Sequence, residues 1–289
     1  AVWTLACASV GDAVVRRFNL ALPASERLLG ALGAGLLVFV SGTFVAGILR
    51  LYGPVFFVAW PTFLLLAFGA PFLRFLRRYV RHRLAAGRRA PPSPLMSALC
   101  VFGLVGVGMV YFNILTPDNI AGDSHWYHLA IAEHYVAEGG IHPFVEGWFQ
   151  GTLPQLATLI YTWAFSFPGS ALFDRVELAA HLEFAIFLWT LFGIPVLARW
   201  ATARARSRTN TRIRASAAWV ALFLFPGIFL YDSSVSTNAD HIAAFWAVPI
   251  LLALGRALRS PSAKRGAWLA LSLAGALLTK YQTIMLVTF

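Results

Sequence analysis

Between Thr116 and Gln150 the chain reads TPDNIAGDSHWYHLAIAEHYVAEGGIHPFVEGWFQ. This stretch holds five of the twelve acidic residues (Asp118, Asp123, Glu133, Glu138, Glu146) and four of the seven histidines (His125, His128, His134, His142), with no Lys or Arg. Carboxylates and imidazoles are the groups that move protons near neutral pH. Asp123 is the sharpest candidate. Gly122-Asp123-Ser124 precedes a run in which Trp126, Leu129, Ala130 and Val136 recur at helical spacing until Gly139-Gly140 stop it. Asp123 therefore stands at the start of a short amphipathic helix, where free amide protons and the positive dipole end keep a carboxylate ionised. With Tyr127 and His128 one turn on, it could accept a proton from a hydroxyl or amine nucleophile; the plainer alternative is that it only caps the helix.

Other ionisable residues lie near apolar runs. Lys280 sits about 14 residues, roughly 21 Å, into the last apolar segment, a depth at which a cation is costly and usually functional. It is expected to point into a cavity and face an anionic leaving group, or else to snorkel to the surface. Asp240-His241 opens another apolar run, where Asp240 serves as a helix cap or faces the polar stretch. Arg175 precedes Glu177, His181 and Glu183; an ion pair of Arg175 with Asp174 or Glu177 competes with a substrate contact. The residues demand no resident cofactor. A hard divalent cation held through Asp123, Asp240 or His241 suits carboxylate and phosphate oxygens, whereas no HExxH or comparable zinc spacing occurs. Trp126, Trp148, Trp163, Tyr127, Tyr135 and Tyr161 read more simply as an interfacial aromatic belt than as sugar-stacking platforms.

What must position these residues is a membrane. Apolar residues make up 59% of the chain and charged ones 12%, with a mean hydropathy of +0.70, well outside the soluble range. Several runs approach the roughly 20 residues a spanning helix needs, and none alternates like a barrel strand. The expected class is all-α, a polytopic transmembrane helical bundle. The net charge of +11 resides in short Arg-rich segments between apolar runs, so it reports orientation and not a nucleic-acid partner. Cys7 and Cys100 lack metal-like spacing and read as packing residues.

Positive-inside bookkeeping orders the spans. Residues 1 to 11 read as the end of an earlier helix, and the chain as part of a longer protein. Spans follow at 29–50 and 53–73, and then seven arginines between Arg74 and Arg89 with no acid mark a cytoplasmic loop. The span 95–115 runs outward, which puts Thr116 to Gln150 outside. Six arginines between Arg199 and Arg214 return the chain to the cytoplasm, so only one of the segments 152–168 and 176–198 crosses. The first, bounded by Pro154 and Pro168 and interrupted by Gln155, Thr158, Tyr161, Thr162 and Ser166, is expected to lie against the outer leaflet. Spans 215–231, 239–255 and 266–289 complete the count. Residues 1–94 thus form N-terminal transmembrane helices with a basic cytoplasmic loop, and residues 95–289 a membrane core.

Over residues 95–289 the order of pieces resembles the polytopic GT-C glycosyltransferases, which include protein O-mannosyltransferases and aminoarabinose transferases acting on lipid A. An outward span leads to DSHWYHLAIAEHYVAEGGI, similar to that family's acidic residue, helix and Gly turn. GWFQGTLPQLATLIYTWAF is like its Pro-led juxtamembrane helix, and FPGSALFDRVE like the approach to its next span. The resemblance implies an extracytoplasmic loop carrying juxtamembrane helices, and an inverting transfer of sugar from a polyprenyl-phosphate donor with Asp123 as general base. Lys280, Tyr127, His128, Arg175, Asp240 and His241 are the candidate substrate-binding residues. The implied partners are that donor, membrane lipid and a glycan, lipid or protein acceptor, at a plasma or bacterial inner membrane. Asp123-Ser124 stands where many relatives carry two adjacent acids. The competing classes are a polytopic transporter, which would want charges spread through broken midplane helices, and a noncatalytic scaffold whose outer loop binds a partner.

Overall fold

The computed structural model describes residues 1–87, 94–115, 122, 124–145, 147–169, 174–205 and 237–286. Every regular element among them is helical: α1 (Val2–Phe18), α2 (Ala24–Ile48), α3 (Pro54–Gly87), α4 (Pro94–Ile114), α5 (Leu129–Ala137), α6 (Leu156–Phe165), α7 (Arg175–Ala205), α8 (Asp240–Arg259) and α9 (Ala263–Thr279). A π-turn, Ser124–His128, leads into α5, and 3-10 turns cover Phe149–Thr152 and Tyr281–Leu286. Among the described residues four helices are long and apolar enough to cross a membrane, namely α2, α3, α7 and α8. The expected span at 215–231 lies outside the described residues.

The contacts between helix ends sort into two groups, and α7 and α8 run in the same direction: Glu183 meets His241 near their starts, and Trp200 meets Arg259 near their ends. At one end Arg27 stacks on Phe75 with its guanidinium carbon 4.2 Å from the ring centre, joining α2 to α3, while Arg256 of α8 binds both carboxylate oxygens of Glu26. Asp12 of α1, fully buried, accepts from Arg27 Nε at 2.7 Å and Nη2 at 2.9 Å. We call this the basic end. At the opposite, polar end the turn after α2 holds the segment that follows α5: the Tyr52 amide donates to the Gly139 carbonyl and the Ile141 amide to Gly47, each at 3.0 Å. Gly139, with φ of +71°, supplies the left-handed residue that ends α5.

One apolar core draws on residues 1–94 and on the later helices alike. Trp3 stacks on Trp189 with ring centres 5.2 Å apart, and Phe39 meets Trp163 edge-on at 5.4 Å. α1 and α2 approach backbone to backbone, since a Cβ on Gly11 would fall on the Ala31 carbonyl and one on Gly35 on the Cys7 carbonyl. Small residues at such crossings are what apolar solvent demands, because packing there must supply the association energy that water would otherwise provide.

Two expectations need revision. α6 is 10 residues long, short of the length a crossing helix needs, and it does not lie on the surface as expected: every residue from Leu156 to Phe165 is buried. Of the polar groups that suggested an interface, Thr158, Tyr161, Thr162 and Ser166 find partners inside the protein, whereas Gln155 Oε1 is buried without one. Thr162 donates to the Thr158 carbonyl at 2.8 Å, Ser166 to Thr162 at 3.0 Å and Tyr161 to Asn238 at 2.8 Å. The second revision concerns the last apolar run, which is not one helix. α9 stops at Thr279, and Lys280 takes an extended conformation (φ −155°, ψ 128°) before the following 3-10 turn. α1, in turn, continues past the apolar residues 1–11 through Arg16 and Arg17.

Candidate functional site

The polar end contains a cavity of about 280 Å³. Its wall brings together Tyr127 and His128 from the π-turn, Gln150 from the 3-10 turn before α6, and Lys280 and Gln282 from the break after α9. Lys280 and Gln282 come at least 130 positions after the other three in sequence (280 − 150 = 130). The break in α9 positions Lys280: its ammonium pairs with the carboxylate of Asp240 at the first turn of α8. The pair is partly exposed, at 23% for Lys280 and 58% for Asp240, so water screens it and its contribution to stability is modest.

His128 is 2% exposed. Its Nδ1 shares a 2.9 Å hydrogen bond with the hydroxyl of Thr158 on α6, while Nε2 is buried with no hydrogen-bond partner. Burial lowers its pKa to about 4; the nearby Lys280 ammonium pushes in the same direction and the Asp240 carboxylate opposes both. The imidazole is therefore neutral at pH 7. A neutral ring presents one unused nitrogen beside the cavity, ready to hydrogen-bond a ligand.

An apolar groove of about 550 Å³ adjoins this cavity. It runs along Leu37, Phe44 and Val45 of α2 and Leu277 and Leu278 of α9, and it shares Leu153 and Pro154 with the polar cavity. Phe44, Val45 and Leu278 are 46%, 52% and 53% exposed. A cationic pocket thus continues directly into an open hydrocarbon surface.

The other candidate residues divide. His241 is buried one position beyond Asp240, and its Nδ1 donates to Glu183 Oε1 at 2.9 Å. Glu183, fully buried, also accepts the Thr237 amide at 2.6 Å, so it ties α7 to the segment that leads into α8. Arg175 is exposed outside the cavity wall. The expected ion pair is replaced by backbone contacts: Asp174 accepts the Arg175 amide, and Glu177 accepts the Asp174 amide at 3.1 Å. Asp123, Asp118 and Glu146 lie outside the described residues. Among the described residues no three His, Cys, Asp or Glu side chains come together as a metal site, because Asp240 faces Lys280 and His241 faces Glu183.

Sequence reasoning missed Glu183, Gln150, Gln282 and Thr158 as parts of this region. For Glu183 a signal existed, an acid inside the apolar run LEFAIFLW. No protein-family model matches the chain, and neither the curated proteins nor the solved structures compared with it give a match.

Proposed function

We propose that the protein is a membrane glycosyltransferase that moves a sugar from a polyprenyl-phosphate donor to an acceptor on the extracytoplasmic face, with Asp123 as general base. The observation that supports this reading is the continuity of the Lys280 cavity with the apolar groove along α2. A donor of this class has an anionic head and a long hydrocarbon tail, and the two surfaces match those two halves.

In this reading the tail lies along Phe44, Val45 and Leu278, and the phosphate displaces Asp240 as the partner of Lys280. As the glycosidic bond to phosphate breaks, charge accumulates on the leaving oxygens, and a fixed ammonium stabilises that charge more than it stabilises the bound donor. His128 Nε2 and the amides of Gln150 and Gln282 orient the sugar or the phosphate. The base removes the proton from the acceptor hydroxyl or amine as it attacks the anomeric carbon from the opposite side, which inverts that centre.

The test is transfer of label from polyprenyl-phosphate sugars by purified membranes. Asp123→Asn is expected to lower the rate about 100-fold or more, and Lys280→Met by a similar factor, about 100-fold. Full activity in Lys280→Met would remove the assigned role of the ammonium, and unchanged product formation in Asp123→Asn would favour the scaffold reading.

A further inference from the structure

The basic end carries a cavity of its own, about 330 Å³, between the first turn of α2, the last turns of α7 and the end of α8. Its wall includes Ser25, Glu26, Arg199, Trp200 and Arg259. The wall's one carboxylate, Glu26, is taken by Arg256, which binds both its oxygens. Arg199 and Arg259 then leave the lining positively charged.

Arg259, Trp200 and the start of α2 bring donors to this wall. The Arg259 guanidinium carbon lies 4.6 Å from the centre of the Trp200 ring, a cation–π contact that leaves its N–H groups able to bind an oxyanion. The indole Nε1 of Trp200 is buried with no hydrogen-bond partner, and it can only donate. The opening amides of α2, at Ser25 and Glu26, precede the first intrahelical bond, in which Arg27 donates to Pro23, so they add further donors and the positive end of a helix dipole. Guanidinium, indole N–H and free amides are a donor-only set of the kind that binds phosphate.

We propose that this cavity binds the phosphate of an anionic phospholipid. The helices that frame it, α2, α7 and α8, are all of membrane-crossing length, so their ends lie at headgroup depth. Basic pockets between such helix ends are where acidic headgroups are held. The assignment is independent of the chemistry at the polar end.

The experiment uses the full chain, purified and delipidated in a neutral detergent, with bound lipid counted by native mass spectrometry. Phosphatidylglycerol is expected to bind about tenfold more tightly than phosphatidylcholine, and Arg259→Gln to lose about that factor. Arg259→Lys, which keeps the charge but not the planar fork, should recover part of it. Arg77→Gln, which removes the same charge from an exposed face of α3, should change binding less than about twofold. Equal losses in Arg259→Gln and Arg77→Gln, or no preference for the acidic lipid, would overturn the proposal in favour of diffuse attraction. Displacement of the lipid by millimolar inorganic phosphate would reassign the pocket to a soluble anion and overturn the lipid half. Should Arg259→Gln fail to fold, Trp200→Phe, which keeps an aromatic ring beneath the guanidinium but lacks the N–H, is read by the same criteria.

Discussion

His128 joins three elements at one point: it ends the π-turn, bonds α6 through Thr158, and faces the cavity that holds Lys280. Its folded pKa of about 4 lies below the ordinary value of about 6.5. The sign of the linkage follows. The unfolded chain binds more protons between these two values, so the histidine's share of stability is complete above about pH 6.5 and is lost as pH falls toward 4. Thermal unfolding in detergent should show that loss, and His128→Gln should flatten the curve within the same window. Lys280→Met should move the lower edge of the window upward, because it removes a repelling cation and frees Asp240 to favour the charged ring. Parallel curves for the wild type and His128→Gln would mean that the imidazole titrates as it does in water. The candidacy of His128 could be read from its distance of one turn from Asp123, but its burial could not. That depends on Thr158, 30 residues away, and on a break in α9 that the apolar sequence YQTIML does not announce.

At the scale of elements, α1 and α2 form the closest helix pair. Their contact depends on Gly11 and Gly35, where added side chains would meet backbone atoms. Backbone cannot yield as a flexible side chain can, so Gly11→Val should cost at least the roughly 1–3 kcal/mol of ordinary overpacking. It should appear as a lowered unfolding temperature. Gly69→Val, at a helical site with nothing within 4 Å, is the matched control and should not destabilise, since Gly is the poorer helix former; equal behaviour of the two variants would show that α1 and α2 do not pack so closely. Buried charge fastens the same region, since Asp12 ties α1 to Arg27 of α2 and Glu26 ties α2 to Arg256 of α8. The places of α2, α3, α7 and α8 could be read from the apolar runs but not all their ends: α3 runs on to Gly87 through arginines expected in a loop, and α7 runs on to Ala205. The burial of α6 could not, because Thr, Ser and Tyr look the same at a membrane interface and in a core until their acceptors are known.

At the scale of the whole molecule, Arg16, Arg27, Arg256 and Arg259 gather at one end and the cavity with Lys280 and His128, beside Asp240, lies at the other. The positive-inside rule predicts the orientation to be tested: basic end in the cytoplasm, polar end outside. In a Cys100→Ser background, with Cys7 buried, a membrane-impermeant maleimide should label Glu138→Cys on intact cells and Arg77→Cys only after the membrane is opened. Both positions are exposed. The reverse pattern would put Asp123 on the cytosolic side and end the proposed transferase.

The sequence alone determined what depends on local composition: among the described residues, an all-helical class and several helices of membrane-crossing length. Each follows from hydropathy or from the length a helix needs to cross hydrocarbon. Only the tertiary structure decided which groups meet. It turned Lys280 out of a continuous helix and onto Asp240, set Glu183 against His241, and put a cationic cavity beside an apolar groove. The physical reason is that buried polar groups take whichever partners folding brings within hydrogen-bond reach, and here those partners lie tens to hundreds of residues apart.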